Sequence, residues 1–150
     1  MPGTNPGLAN SYSLGPNQLL RMANIGESIT GSIHAGKRWN HTGVRVSPGE
    51  RYSLAANGGW VDWHTVTNPN GYASPNLLLR IAEGLRRMPS ARWFRLVGSI
   101  GKQRSSFFGI GEICTFEPTI RGELLCFAND VVWMYFNNSG AVNLRITRER

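Results

Sequence analysis

The chain has 150 residues, 41% of them hydrophobic, with 18 glycines and 8 prolines spread along it. That length suits one domain around one core, and the scattered Gly and Pro point to short strands and many turns. No run of eighteen apolar residues occurs, which excludes a membrane-spanning helix. The Pro/Gly/Asn-rich start lacks the charged and apolar regions of a secretory signal, so the expected compartment is the cytoplasm, with signal-independent release as the alternative.

In chain order, residues 1–28 are expected to form an arm. Its first ten residues are expected to be mobile, and a short apolar patch lies at Leu19–Ile25. The domain proper is expected over 29–150. Ile29–His34 is a predicted strand, and Thr42–Ser47 alternates with the period-2 pattern of a half-buried strand. Ser47-Pro48-Gly49-Glu50 is a turn in which Pro presets φ and Gly accepts φ > 0. Arg51–Ala56 alternates again, and the two strands are expected to pair as a hairpin. Asn57-Gly58-Gly59 breaks it, and Trp60–Trp63 follows.

His64–Ser74, with Asn68-Pro69-Asn70-Gly71, reads as a polar loop. Over Asn76–Met88, Leu77, Leu78, Ile81, Ala82 and Leu85 fall at helical spacings. Pro75-Asn76 starts a short helix and Pro89 stops it; a strand over Leu77–Ala82 is the alternative. Trp93–Ile100, Glu112–Phe116, Glu123–Ala128 and Ala141–Thr147 complete the predicted strands. The fold class expected is therefore all-β, an antiparallel β-sandwich or jelly roll with one short helix in its middle segment.

The net charge is +7. Seven basic residues fall in Arg80–Arg104: Arg80, Arg86, Arg87, Arg92, Arg95, Lys102 and Arg104. Such a cluster suits nucleic acid, an anionic membrane surface or an acidic glycan, and equally a solvated face. Cys114 and Cys126 flank Glu117–Gly122. If that stretch closes a hairpin the two could pair, although free buried thiols are favoured without a signal peptide. Together with His34, His41 and His64 they make no zinc pattern.

Asn129–Gly140 is the segment that carries chemistry. It joins two predicted strands. Asp130, Asn137 and Asn138 offer hard oxygen ligands, and the loop between them offers backbone carbonyls. Ca²⁺ takes six to eight oxygens in flexible geometry and suits such a mixed set better than Mg²⁺ does. Asp and Asn are also ordinary turn residues. The chain's only aspartates, Asp62 and Asp130, both sit in loop-like sequence beside tryptophans.

Asn129-Asp130, Tyr135 and Asn137-Asn138-Ser139-Gly140, followed by an alternating strand, resemble the calcium loop of the bacterial galactophilic lectins. This is the LecA-like family, with a galactose-binding jelly-roll fold. Pro48-Gly49-Glu50 with Ala55–Trp60, Val97–Gly101 and Gly122-Glu123-Leu124 resemble other parts of it. The resemblance spans about Trp39–Thr147.

The resemblance implies side-chain calcium ligation by Asp130, Asn137 and Asn138, with backbone carbonyls from Trp63 and Met134. It implies a galactoside-like sugar whose vicinal hydroxyls complete the metal shell, with Asp130, Asn137, Trp63, Trp133 and His64 at the sugar. It further implies a homo-oligomer that multiplies weak sites. The sequence departs from the family in lacking the His-Pro pair of the sugar loop, where His64 and Asn68-Pro69-Asn70 stand instead. Asn76–Arg92 also looks inserted or reshaped.

Trp133 offers an apolar platform for a sugar's C–H face, the alternative being that it packs beneath the loop. Trp39, Trp60 and Trp93 are expected in the core. A calcium-dependent carbohydrate-binding module is the leading function. A structural domain with a calcium-stabilised loop and a basic-surface binder of nucleic acid or acidic polymer are the alternatives. An enzyme is not expected, since no nucleophile elbow or phosphate loop occurs; Asp62 with Asp130 is the one carboxylate pair of interest.

Overall fold

The computed structural model describes residues 11–12 and 20–150. The expected mobility of the first ten residues lies outside this range, as does Leu19 of the apolar patch. The strands are β1 (Ser11–Tyr12), β2 (Ser28–His34), β3 (Asn40–Val46), β4 (Tyr52–Asn57), β5 (Trp60–Asp62) and β6 (Thr65–Thr67). After the helix α1 (Leu77–Ile81) come β7 (Leu96–Ile100), β8 (Phe108–Gly109), β9 (Ile113–Phe116), β10 (Gly122–Ala128) and β11 (Asn138–Arg148).

They form a two-sheet sandwich. One sheet runs β1-β2-β11-β4-β9, with β5 and β6 continuing it beside β11; the other runs β3-β10-β7-β8. β1 pairs with β2 in parallel, and the other strand pairs are antiparallel. The expected all-β sandwich with one short helix is the observed fold.

Alternation explains the layers. β4 buries Tyr52, Leu54 and Ala56, and β11 buries Val142, Leu144 and Ile146. These face Val44 and Val46 of β3, and Leu124, Cys126 and Ala128 of β10, in one core. β7 is buried along its whole length, as expected of a strand covered on both faces. Ala23 also lies in this core, and Arg21 exchanges backbone hydrogen bonds with Gly43 and Arg45 at 2.8 Å each. Arg21 and Ala23 thus pack at the edge formed by β3.

The expected hairpin of β3 with β4 does not form. β3 pairs with β10, whereas β4 pairs with β11 and β9. Ser47–Glu50 is a corner between the sheets. Gly49 takes φ +91° in it, and the buried Glu50 carboxylate accepts from Ser47 N at 2.8 Å and Tyr52 Oη at 2.7 Å. An inward-facing alternation is the same whether two strands lie side by side or face each other across a core, so the pattern alone does not distinguish them. The same holds for Glu117–Gly122, which carries the chain from β9 in one sheet to β10 in the other. Cys114 and Cys126 are accordingly free thiols.

The polar loop His64–Ser74 begins with a strand. β6 pairs with β5 around Trp63 and His64, and Trp63 adopts φ +51° to make the turn. β-Branched Thr65-Val66-Thr67 suits a strand once that turn is in place.

The expected helix, not the alternative strand, forms over Leu77–Ile81. The Asn76 side chain caps α1 by accepting from Leu79 N at 2.9 Å, and a 3₁₀ turn over Ala82–Leu85 ends it. The structure differs from expectation in where the apolar residues go, since none of the residues from Leu77 to Leu85 is buried.

Candidate functional site

The loop between β10 and β11 is anchored before it bends outward. Asn129 is fully buried. Its Nδ2 donates to the carbonyls of Met88 (2.9 Å), Ala91 (3.1 Å) and Arg92 (2.9 Å), and its Oδ1 accepts from Met88 N at 2.9 Å. One side chain thereby pins the Met88–Arg92 turn to the base of the loop. Tyr135 closes the loop from above, its hydroxyl donating to Ala128 O at 2.5 Å.

Asp130 comes next and is 3% exposed. Its Oδ1 accepts from Val131 N at 2.7 Å and its Oδ2 from Asn138 Nδ2 at 2.9 Å. Burial, opposed by the Asn138 and Val131 donors and helped by nearby Asp62, leaves the carboxyl raised to about 6.

Asn138 opens β11 and stands opposite Asp62 in the β5–β11 register. Asp62 is half-buried and accepts from Tyr72 Oη at 2.5 Å. Burial raises its carboxyl too, with the Tyr72 hydrogen bond opposing. Tyr72 is itself held well above the ordinary phenol value by burial, by Asp62 and by Asp130. Gly140 allows this close strand approach. It takes φ +81°, and a Cβ there would lie 3.2 Å from Trp60 Cα.

The oxygens left over define the chemistry. Asn138 Nδ2 donates to both Asp130 and Ala35 O (3.3 Å). These two acceptors fix the amide's orientation and leave Oδ1 pointing elsewhere. Asn138 Oδ1 and Asn137 Oδ1 are both buried and without a hydrogen-bond partner among the described residues. The ion pairs among the described residues include neither Asp62 nor Asp130.

Two buried acceptors without donors, near the buried Asp130 carboxylate and the half-buried Asp62, form an oxygen-rich set that a cation or ordered water would satisfy. The donor set is all oxygen, which fits a hard cation. No cluster of three or more His, Cys, Asp or Glu occurs among the described residues.

The other sequence-assigned residues gather around the same loop. Trp63 N donates to Asn137 O at 3.2 Å, which sets Trp63 beside the loop. The Trp63 and His64 rings lie 4.7 Å apart between centroids. Trp63, His64, Trp133 and Phe136 are all exposed. The alternative in which Trp133 packs beneath the loop is therefore not observed. Met134 sits at the end of a turn, its N donating to Val131 O at 2.9 Å.

Trp60 and Trp93 are core residues, as expected. Trp39 is only half-buried, edge-on to Phe107 and Phe127 at 6.1 and 5.4 Å. Neither the role of Tyr72 nor the anchoring by Asn129 carries a local signal in the sequence.

The basic cluster does not form one solvated face. Arg86 is buried, 5.0 Å from the Trp93 ring. Arg87 lies 3.5 Å from the Phe127 centroid and 4.3 Å from that of Trp39, and donates to Tyr135 Oη at 3.0 Å. Arg95 is half-buried, while Arg80, Arg92, Lys102 and Arg104 are exposed.

A groove of about 180 Å³ between β2 and β3 is lined by His34, Lys37, Trp39 and His41, away from the loop. Its buried Asn40 amide is already bonded to the His34 and Cys126 backbone, so it offers no comparable set of free acceptors.

No helix among the described residues is long and apolar enough to cross a membrane. No family model matches the chain, and no curated protein matches it. Among solved structures the chain is similar to one described as the EclA N-terminal domain, a PllA-like lectin. The TM-score is 0.59 and the identity 20%, over 80% of this chain and 95% of that one. At that identity the likeness shows a shared β-sandwich fold.

Proposed function

We propose that this chain is a calcium-dependent carbohydrate-binding module. In this reading Asp130, Asn137 and Asn138 hold the ion through side-chain oxygens, and Trp63 and Met134 hold it through backbone carbonyls. The carrying observation is the pair of buried, partnerless amide oxygens on Asn137 and Asn138, the latter's amide being bonded to Asp130. Asp62 adds negative charge at the rim and is itself oriented by Tyr72. A bound ion would keep both carboxylates ionised.

The sugar would complete the ion's shell with neighbouring hydroxyls, a galactoside-like arrangement being the first to test. Trp63, His64 and Trp133 would flank it with exposed aromatic surface. The sandwich shared with a PllA-like lectin supports this reading. A homo-oligomer that multiplies such sites remains part of the proposal.

The test is galactose titration into calcium-loaded protein and into the same protein with excess EDTA. Binding only with calcium supports the reading. Equal binding in EDTA removes the ion from the sugar site. Calcium uptake with no response on a glycan panel leaves the ion as a loop staple.

A further inference from the structure

The apolar residues of α1 and its following turn are on the outside. Leu77, Leu78 and Ile81 are 71%, 74% and 74% exposed, and Leu85 is more than half exposed. A stripe at this spacing ordinarily faces a core. The segment is nevertheless firmly tied down. Asn76 caps it, Glu83 Oε1 accepts from Ser74 Oγ at 2.5 Å, and Ser74 Oγ accepts from Trp93 Nε1 at 2.9 Å.

Arg86 bridges to Val131, and Arg87 N donates to Asp130 O at 3.0 Å. The stripe therefore adjoins the loop that exposes Trp133 and Phe136, with Trp63 tethered to the same loop. Large apolar side chains gathered at one end of a domain go beyond ordinary scatter and mark a docking surface.

Charge selects the occupant. Of the seven Lys and Arg in residues 63–104, Arg86, Arg87 and Arg95 are packed while Arg80, Arg92, Lys102 and Arg104 are exposed, and the one acid of that stretch, Glu83, is bonded to Ser74. Two copies meeting across a two-fold axis would set these cations against each other. An anionic bilayer supplies the opposite charge, a level at which Trp rings settle and a boundary along which Arg side chains snorkel.

We propose that this end of the sandwich docks on an anionic lipid bilayer, with Leu77, Leu78, Ile81, Trp133 and Phe136 entering the headgroup region. The docking stands on the apolar rim and its charge, and needs neither calcium nor sugar.

The test uses the intact chain with phosphatidylcholine vesicles, with and without phosphatidylserine and free of glycolipid. Expected results are co-sedimentation with the phosphatidylserine vesicles, a blue shift of tryptophan emission, and weakening as salt rises. Leu78→Ser with Ile81→Ser should lower partitioning about tenfold or more, since buried apolar area sets such binding. Its melting temperature and calcium uptake should not change, because both side chains are exposed in the free protein. Arg80→Glu should reduce the preference for phosphatidylserine.

Failure of the wild-type chain to bind these vesicles would overturn the proposal, as would equal binding by the double-serine variant. So would a wild-type dimer in analytical ultracentrifugation that the double-serine variant dissociates, because a second copy would then be the occupant. The vesicles carry no sugar, so none of these outcomes bears on the carbohydrate reading.

Discussion

Asp130→Asn should make the metal-free protein more stable at neutral pH while abolishing calcium uptake. Burial raises the Asp130 carboxyl from an ordinary 3.8 to about 6. Between those values the folded state holds a proton that the unfolded chain has released. Stability of the metal-free protein therefore falls as pH rises through that window. A gap of about two pH units corresponds to about 3 kcal/mol lost by neutrality.

Asparagine removes the buried charge but disturbs one contact. Asp130 Oδ2 accepts from Asn138 Nδ2, and an amide nitrogen at that position would face another donor. Flipping the Asn138 amide would present its free Oδ1 instead, at the expense of the 3.3 Å bond to Ala35 O, worth about 1 kcal/mol. The net expected gain is about 2 kcal/mol at pH 7.5 in EDTA, read from urea unfolding midpoints at unchanged slope. The variant should also show a shallower loss of stability between pH 4 and 7, the remaining slope coming from Asp62, whose carboxyl is raised in the same direction. A variant less stable than wild type in EDTA, or a wild-type protein whose metal-free stability is flat across that range, would refute the reasoning.

Asn129→Ala should cost about 3 kcal/mol, because four hydrogen bonds of a buried side chain are lost and their backbone partners left without it; denaturant unfolding measures this, and calcium affinity should fall with it. Gly140→Ala should cost about 1–3 kcal/mol, since φ +81° and the 3.2 Å approach to Trp60 both oppose a Cβ; the melting temperature reads it. Trp133→Ala, at an exposed position, should weaken sugar binding by about 1 kcal/mol while calcium uptake stays unchanged, as two calorimetric titrations would show. Arg87→Ala should destabilise the fold by about 2 kcal/mol through lost contacts to the Phe127 and Trp39 rings; a thermal melt at high salt should show most of this loss persisting.

Much of the strand content was legible, because the alternations in β3, β4 and β11 follow directly from one buried face. The pairing of those strands was not. β3 and β4 carry the same inward pattern whether adjacent or opposed, and only the buried Glu50 corner in the structure separates the cases. The helical spacing of Leu77, Leu78, Ile81 and Leu85 was correctly read as helix, yet periodicity tells which residues share a face and not what that face meets.

At the site, the Asp130-to-Asn138 spacing and the interest of Asp62 were legible, and the structure brings all of them together. Tyr72 and Asn129 were not legible. A tyrosine in a polar loop and an asparagine at a strand end have no local signature of the contacts that a distant segment supplies. Three members of the basic cluster turned out to be packed side chains for the same reason, with Arg87 held among rings from residues far along the chain.

Calcium titration of EDTA-stripped protein by isothermal calorimetry tests the central claim most directly. The account predicts saturable uptake of one ion per chain, abolished in Asp130→Ala. It also predicts a raised melting temperature, because an ion bound only by the folded state stabilises it by about 4 kcal/mol at a thousandfold excess over its Kd. Absence of uptake with an unchanged melting temperature would contradict the account and reduce the loop to a hydrogen-bonded Asx-rich turn.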